Sequence, residues 1–549
     1  MTDAAKAEKD AVSAWAPFGH AAFAVLWTAT VVSNIGTWMH DVASGWLMTS
    51  LSPSPLMVAL VQAATTAPIF LFALSAGAMA DLVDRRRLLI VIMTALVIVT
   101  LGLGVLVLLG LVNAWMLLLF TFLSGAGAAF VAPAWQAIVP QLVPRPDLSS
   151  AVALNSVGIN ISRAIGPALA GLIIASFGIA WPYMLNALSY VIVIGALLWW
   201  RPPPQPKSDL PVERFWSAIR SGLRYVRASS PMRATLVRAI AFFLFASAYW
   251  ALLPIIARRE LQGGPELYGL MLASVGIGAV SGALFLPRLK KSMGPDTLVA
   301  AGTAGTALVL AVFALVAIPA AAIAVSFIAG ASWIMVLSSL NVSAQMVLPD
   351  WVRARGLSVF ITVFFGSMTL GSMIWGQTAS LLGVPFTLLL AAAGSLLGAV
   401  LSWPFKLRQG DALDLSPSMH WPAPVVAGDV AHDRGPVMIT VEYRIAPATA
   451  ADFAAAMKDL RAARRRDGAY AWGLFEDVAM PGRYIEYFTE ESWLAHLRHH
   501  ERVAESDRLL QQKVRAFHLG PDDPVVTHYL APAPGAAVVP PPPRDGELQ

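Results

Sequence analysis

Twelve stretches of this chain run for 20 residues or more with almost no charge. About 20 predominantly apolar residues are what a helix needs to cross a bilayer. They lie near 21–49, 54–80, 88–110, 114–139, 150–177, 180–200, 234–257, 266–287, 297–317, 320–347, 356–381 and 383–405. Lipid offers no partner to backbone N–H and C=O groups, so each is expected to be helical. Composition agrees: 57% of the residues are hydrophobic and 13% charged, against roughly a quarter charged in soluble domains. Such a chain could not cover its own surface in water. It has no cysteine, which excludes disulfides, thiol nucleophiles and thiolate metal sites. The first twenty residues contain acids and lack a small-residue cleavage site, so they read as a cytoplasmic tail rather than a signal peptide.

Lys and Arg in the loops set orientation. One side of the membrane receives Arg85 to Arg87, Arg145, the basic segment 201–233, Arg288, Lys290, Lys291, Arg353 and Arg355. The other receives only Arg258 and Arg259. This bias predicts a protein of the cytoplasmic (inner) membrane with both termini in the cytoplasm. A repeat supports the count. WQAIVPQLVPRPDLSSAV (135–152) and AQMVLPDWVRARGLSVFI (344–361) share Gln136/Gln345, Pro140/Pro349, Val143/Val352, Leu148/Leu357 and Ser149/Ser358 at one constant offset. Span four then corresponds to span ten, which requires two six-helix halves in the same orientation. Parallel halves of this kind are a transporter architecture with a midplane site between them. The expected organisation is a tail (1–19), two helical bundles (20–200 and 234–406) joined by a cytoplasmic linker (201–233), a second linker (407–436), a small α+β domain (437–530) and a disordered Pro-rich end (531–549).

GAMADLVDRRRLL (77–89) concentrates Asp81, Asp84, Arg85, Arg86 and Arg87 between two apolar spans. Topological anchoring explains the arginines but not the two acids. The segment resembles the loop 2–3 signature of the major facilitator superfamily, with Gly77, Asp81, Arg85 and Arg86 in the matching positions. The second glycine usual in that signature is absent. RAIGPALAG (163–171) resembles the Gly-Pro motif of the superfamily's antiporters through Gly166, Pro167 and Gly171. The resemblance spans about residues 20–405 and is greatest to enterobactin exporters and macrolide efflux pumps. It implies twelve helices, export, and a conformational gate at loop 2–3. There Asp81 caps a neighbouring helix and the arginines meet acids or helix C-termini across the seam between halves. The arginine common early in span four is missing, so the usual proton relay there is not expected.

Ionisable residues inside the membrane are functional candidates by default. Asp41 and its neighbour His40 in span one, and Arg163 in span five, are the candidates for proton coupling. Arg238, about a turn inside span seven, is expected to snorkel to the surface. Trp38, Trp46, Gln62, Asn155, Tyr249 and Trp250 suit the wall of a cavity for an amphipathic organic ligand. GIGAVSGA (276–283) and SGAGAA (124–129) read as close-packing surfaces.

Beyond residue 407 the pattern changes. Strand-like alternation at 437–445, a helix at 448–466, strands at 469–478 and 483–491, a helix at 492–517 and a strand at 524–530 give the order βαββαβ. The segment resembles the small dimeric α+β barrels related to antibiotic-biosynthesis monooxygenases, which implies dimerisation or ligand sensing. An enzymatic role is the alternative. His496 and His500 are one helical turn apart, with His499 adjacent. Only Glu501 or the distant His518 and His528 could add a ligand, so no metal is expected and the face reads as solvated or dimer-facing. RAARRRDG (461–468) reads as a solvated helix end.

No GxxxxGK[ST] loop is present, which speaks against ATP hydrolysis by this chain. The expectation is a non-enzymatic secondary exporter of small hydrophobic or amphipathic molecules. It needs the proton gradient and no cofactor, its partners are cargo and the lipid bilayer, a homodimer through the C-terminal domain is possible, and nucleic acid is not a partner.

Overall fold

The computed structural model describes residues 14–202, 215–407, scattered positions between 418 and 428, and 430–532. Most of 1–19, much of the two linkers, and the Pro-rich end beyond 532 lie outside the described residues.

Among the described residues, twelve helices are long and apolar enough to cross a membrane. Spans one to six are Ala21–Leu51, Pro55–Leu82, Arg85–Leu108, Ala114–Ile138, Leu148–Phe177 and Trp181–Trp199. Spans seven to twelve are Ser230–Ile255, Pro265–Ser292, Pro295–Leu315, Pro319–Met346, Asp350–Leu382 and Val384–Ser402. Their starts follow local chemistry. Proline stands in the first turn of spans two, six, eight, nine and twelve, where its missing N–H costs nothing. Asn113 caps span four by accepting from Met116 N at 2.9 Å. A separate amphipathic helix, Phe215–Ala228, precedes span seven.

The chain divides into two compact units. The first comprises residues 1–215, 234–346 and 357–409. Its two halves repeat one pattern of neighbours: spans two and four pack as eight and ten do, three and six as nine and twelve, three and four as nine and ten. This is the internal repeat at the level of packing. Small residues set these crossings. A Cβ on Gly125 of span four would meet Thr65 O of span two at 2.7 Å. A Cβ on Gly282 of span eight would meet Ala331 Cα of span ten at 3.0 Å. Arg238 does not snorkel. It is 2% exposed, pairs with Asp296 at 3.0 Å, and donates to Phe405 O and Trp403 O at the end of span twelve. A buried cation needs such partners, because burial without them costs several kcal/mol.

The second unit comprises 216–233, 347–356 and the chain from 410 on. Its four antiparallel strands are β1 (Val437–Arg444), β2 (Ala471–Glu476), β3 (Arg483–Glu490) and β4 (Val525–Leu530), in the order β2-β3-β1-β4. Helix Ala450–Asp467 follows β1. The helix expected over 492–517 is instead two, Trp493–Arg502 and Glu505–Arg515. Asp507 breaks the run by accepting from Ala504 N, which starts the second helix afresh. Alternation in β1 places Val437, Ile439, Val441 and Tyr443 inward against Phe453, Met457 and Leu460 of the first helix.

Candidate functional site

A cavity of about 280 Å³ lies in the first unit, walled by both halves. Spans one and two give Trp38, Asp41, Gln62, Thr65 and Thr66, and span five gives Arg163. Opposite them stand Trp250 of span seven, Tyr268 of span eight, Trp333 of span ten, and Phe364, Phe365 and Met368 of span eleven. Aromatic walls with one carboxyl, one guanidinium and one amide suit an amphipathic organic molecule. The Arg163 guanidinium lies over the Trp38 ring, 5.7 Å from its centroid. Arg163 Nε is buried with no hydrogen-bond partner. Asp41 and Arg163 share the cavity but form no ion pair with each other.

Four of the expected residues are therefore brought together with Arg163: Trp38, Asp41, Gln62 and Trp250. Others go elsewhere. His40, next to Asp41 but turned by about 100° around the helix, packs edge-on against Tyr183 at 4.9 Å, and both ring nitrogens lack partners. Tyr249 lies behind the wall, against Trp250 at 5.4 Å. Trp46 stacks on Tyr268 under the Arg258 guanidinium, beyond the cavity toward the Arg258 end. Asn155 is occupied within its own half, accepting from Trp135 Nε1 at 3.1 Å. Trp333 and the Phe364–Phe365 pair were not singled out from sequence, since isolated aromatic residues in an apolar span carry no signal of which face they occupy.

The cavity is closed at the end of the bundle opposite the arginine-rich loops. Arg258 donates to Thr49 Oγ1 at 2.7 Å and Ser50 Oγ at 2.5 Å. Leu56 N donates to Ser380 Oγ at 3.0 Å, and Thr66 and Thr369 share a hydrogen bond at 2.8 Å. Each of these contacts joins one half to the other. Between spans five and eight the backbones themselves touch. A Cβ on Gly171 would meet Pro265 O at 2.7 Å, one on Gly269 would meet Pro167 O at 2.5 Å, and one on Gly276 would meet Arg163 O at 2.8 Å. Gly166 plays the same part toward span one, where a Cβ would meet Trp38 Cβ at 2.6 Å.

Loop 2–3 differs in part from expectation. Gly77 and Asp81 fall in span two, but their side-chain environment lies outside the described residues. Asp84 is the N-cap of span three, accepting from Arg87 N at 2.8 Å. Arg86 does reach a helix C-terminus, donating to Leu197 O at 2.6 Å and Leu198 O at 2.9 Å. That helix is span six, in the same half, and Arg85 reaches Ala137 O of span four. These contacts satisfy terminal carbonyls that have no intrahelical partner; they do not cross the seam.

The second unit holds a buried polar layer between sheet and helices. Glu486 on β3 accepts from Arg464 Nε at 3.2 Å, Trp472 Nε1 at 2.9 Å and Tyr443 Oη at 3.1 Å. Arg466 pairs with Asp467 and Asp507. The basic run at 461–468 is a solvated end only in part: Arg461 and Arg465 are exposed, whereas Arg464 and Asp467 are 5% and 4% exposed. Glu490 accepts from His496 Nδ1 at 3.1 Å and from His499 Nδ1. Burial by itself would raise the Glu490 carboxyl; the imidazoles of His499 and His496 more than reverse this and hold it well below the usual range. His496 and His499 are each 1% exposed, so these two rings are neither solvated nor free for a partner, while His500 is only partly buried. His528, on the inward side of β4, joins them with its ring 4.8 Å from that of His496. The linker helix belongs to this unit too. Arg224 donates to Gly468 O at 2.7 Å, and Tyr225 donates to Val347 O at 3.0 Å.

Comparison with known proteins agrees with this architecture. A family model described as transmembrane secretion effector matches residues 12–534. The chain is similar to the staphyloferrin A transporter of Staphylococcus aureus, 26% identical over 47% of this chain and 65% of that protein. It is also similar to the enterobactin exporter EntS of Citrobacter koseri, 28% identical over 58% of this chain and 76% of the relative. Among solved structures, a point mutant of the nucleoside transporter NupG aligns with TM-score 0.61 at 11% identity, over 70% of this chain and 99% of that one. A POT family transporter in complex with a thioalcohol-conjugated peptide aligns with TM-score 0.58 at 13% identity, over 70% and 95%. These two likenesses are of fold.

Proposed function

We propose, from the premise that this chain belongs to the transmembrane secretion effector family of the major facilitator superfamily, that it exports small amphipathic organic molecules by alternating access, driven by the proton gradient. The observation that carries this reading is the cavity walled by both halves, in which one carboxyl and one guanidinium face aromatic side chains. Charged groups at that depth cost several kcal/mol and persist where they serve a pathway or a partner.

Asp41 is the proton carrier in this reading. Protonated, its carboxyl is neutral and tolerates a closed cavity; ionised, it needs water or a cation. Arg163 supplies that cation or holds an oxygen of the cargo. The side carrying the sixteen loop Lys and Arg residues faces the cytoplasm, with both termini. The closed end then faces outward in this reading. Loop 2–3, with Gly77, Asp81, Arg85 and Arg86, is the cytoplasmic gate that engages when that side shuts. The names of the two relatives point to siderophores as the first cargo class to try.

Inverted membrane vesicles test this. Siderophores and macrolides are offered outside, with and without an imposed proton gradient. Accumulation of at least one compound that disappears when the gradient is collapsed is the expected result. Accumulation indifferent to the gradient removes proton antiport, and no accumulation across the panel removes this cargo class.

A second reading concerns the C-terminal unit, as a dimerisation or ligand-sensing module rather than an enzyme. The outward face of its sheet leaves Phe475, Val525 and Tyr529 half or more exposed, which favours a covered face. The molar mass of the full chain in detergent, measured by light scattering, separates a dimer from a monomer.

A further inference from the structure

His496, His500 and His528 come from separate parts of the C-terminal unit: two from one helix, the third from the last strand. Folding brings their ring nitrogens together, with one ligand atom from each within 4.8 Å of the others. His496 Nε2 and His500 Nε2 stand 3.1 Å apart. A carboxylate oxygen can only accept, so the His496 nitrogen that faces Glu490, Nδ1, carries a proton. In the neutral ring, Nε2 of His496 is then left with its lone pair, aimed at a second imidazole nitrogen. Two such nitrogens face each other at this distance only with a proton or a cation between them.

We propose that these three imidazoles form a binding site for a divalent zinc-class cation, with Glu490 as the outer carboxylate that orients His496. Imidazole nitrogens suit this class of metal. A tetrahedral zinc ion with Zn–N near 2.0–2.1 Å separates its ligand nitrogens by roughly 3.3 Å. The closest pair already meets that spacing, and His528 closes on it by a shift of about 1.5 Å. The carboxylate–histidine–metal arrangement is the usual support of such sites, fixing tautomer and ring orientation. His500 and His528 are only partly buried, so the fourth position opens to solvent and is left to water or a ligand oxygen. His499 is not a ligand here; its Nδ1 is taken by the other oxygen of Glu490.

The test uses the full-length chain in detergent without an affinity tag, stripped with chelator, loaded with zinc chloride alone and passed over a desalting column. About one equivalent of retained zinc is expected, falling to background in His500→Ala and His528→Ala separately. Glu490→Gln is expected to weaken binding by about 10- to 100-fold in competition with a chromophoric chelator. Cobalt(II) loaded in place of zinc is expected to give the intense visible absorption of a tetrahedral ion. This readout on the unaltered chain does not depend on how the variants fold. No retained zinc in the unaltered chain overturns the proposal. So does equal retention by a His500→Ala, His528→Ala double variant, which would place the ion elsewhere.

Discussion

Asp41 and His40 are adjacent in sequence and opposite in environment. One lines the cavity, and the other is sealed against Tyr183 with no partner for either ring nitrogen. Asp41→Asn is therefore expected to abolish gradient-driven transport while leaving expression and binding of neutral cargo near normal. His40→Leu, which removes an unsatisfied imidazole from an apolar site, is expected to leave transport within about two-fold. The vesicle assay measures both. Transport retained by Asp41→Asn would end the carrier role. Arg163→Lys keeps the charge but loses the guanidinium that lies over Trp38. It is expected to raise the half-saturating cargo concentration more than it lowers the maximal rate. In the C-terminal unit, His500 has a folded-state value of about 4 against 6.5. The unfolded chain thus binds more protons between those values, and stability falls as pH drops from about 6.5 to 4. Burial lowers His528 in the same sense. The melting temperature of this unit, followed by calorimetry from pH 7.5 to 4.5, is expected to decline across that window and to be flat above it.

At the scale of elements, much of the architecture was legible and much of the site was not, for one physical reason. Span length and the absence of charge are enforced by the bilayer all along the chain, so twelve helices could be placed within a few residues. The face a residue occupies within an apolar helix is not enforced, because lipid and protein interior are equally apolar. That is why Trp38, Asp41 and Gln62 were found while Trp333 and Phe364 were missed, and why Asn155 was assigned to a wall it does not reach. In the C-terminal unit, strands β1 to β4 followed from alternation. The buried layer of Arg464, Glu486 and Glu490 did not, since charged residues on a helix end or a strand ordinarily mean solvent. His528 entered as a distant histidine because only the β1–β4 pairing brings it to the helix. The glycine contacts between spans five and eight yield a sharp expectation at this scale. In Gly269→Val the branched side chain would run into Pro167 O, a backbone atom that cannot swing aside. Overpacking of this kind costs about 1–3 kcal/mol. A lower melting temperature in detergent is expected, with transport lost and cargo binding weakened less.

On the scale of the whole molecule, orientation is the statement most open to direct test, and the composition makes the test clean. With no cysteine to remove, single-cysteine variants can be made on the natural sequence. Glu260→Cys, at the end of the π-helical turn Ile256–Glu260 that continues span seven, is expected to react with a membrane-impermeant maleimide on intact cells. Lys290→Cys, at the far end of span eight, is expected to react only after permeabilisation. The reverse pattern would place both termini outside. The joint between spans five and eight has a kinetic consequence. Where two rods meet backbone to backbone there are no interlocking side chains to lift clear, so a swivel about that line meets little resistance. Resistance to turnover then concentrates at the outer latch, where Arg258 must release Thr49 and Ser50 before the mouth can part. Loosening that clasp with Arg258→Gln would hasten opening, and the step that paces the cycle would pass to unloading.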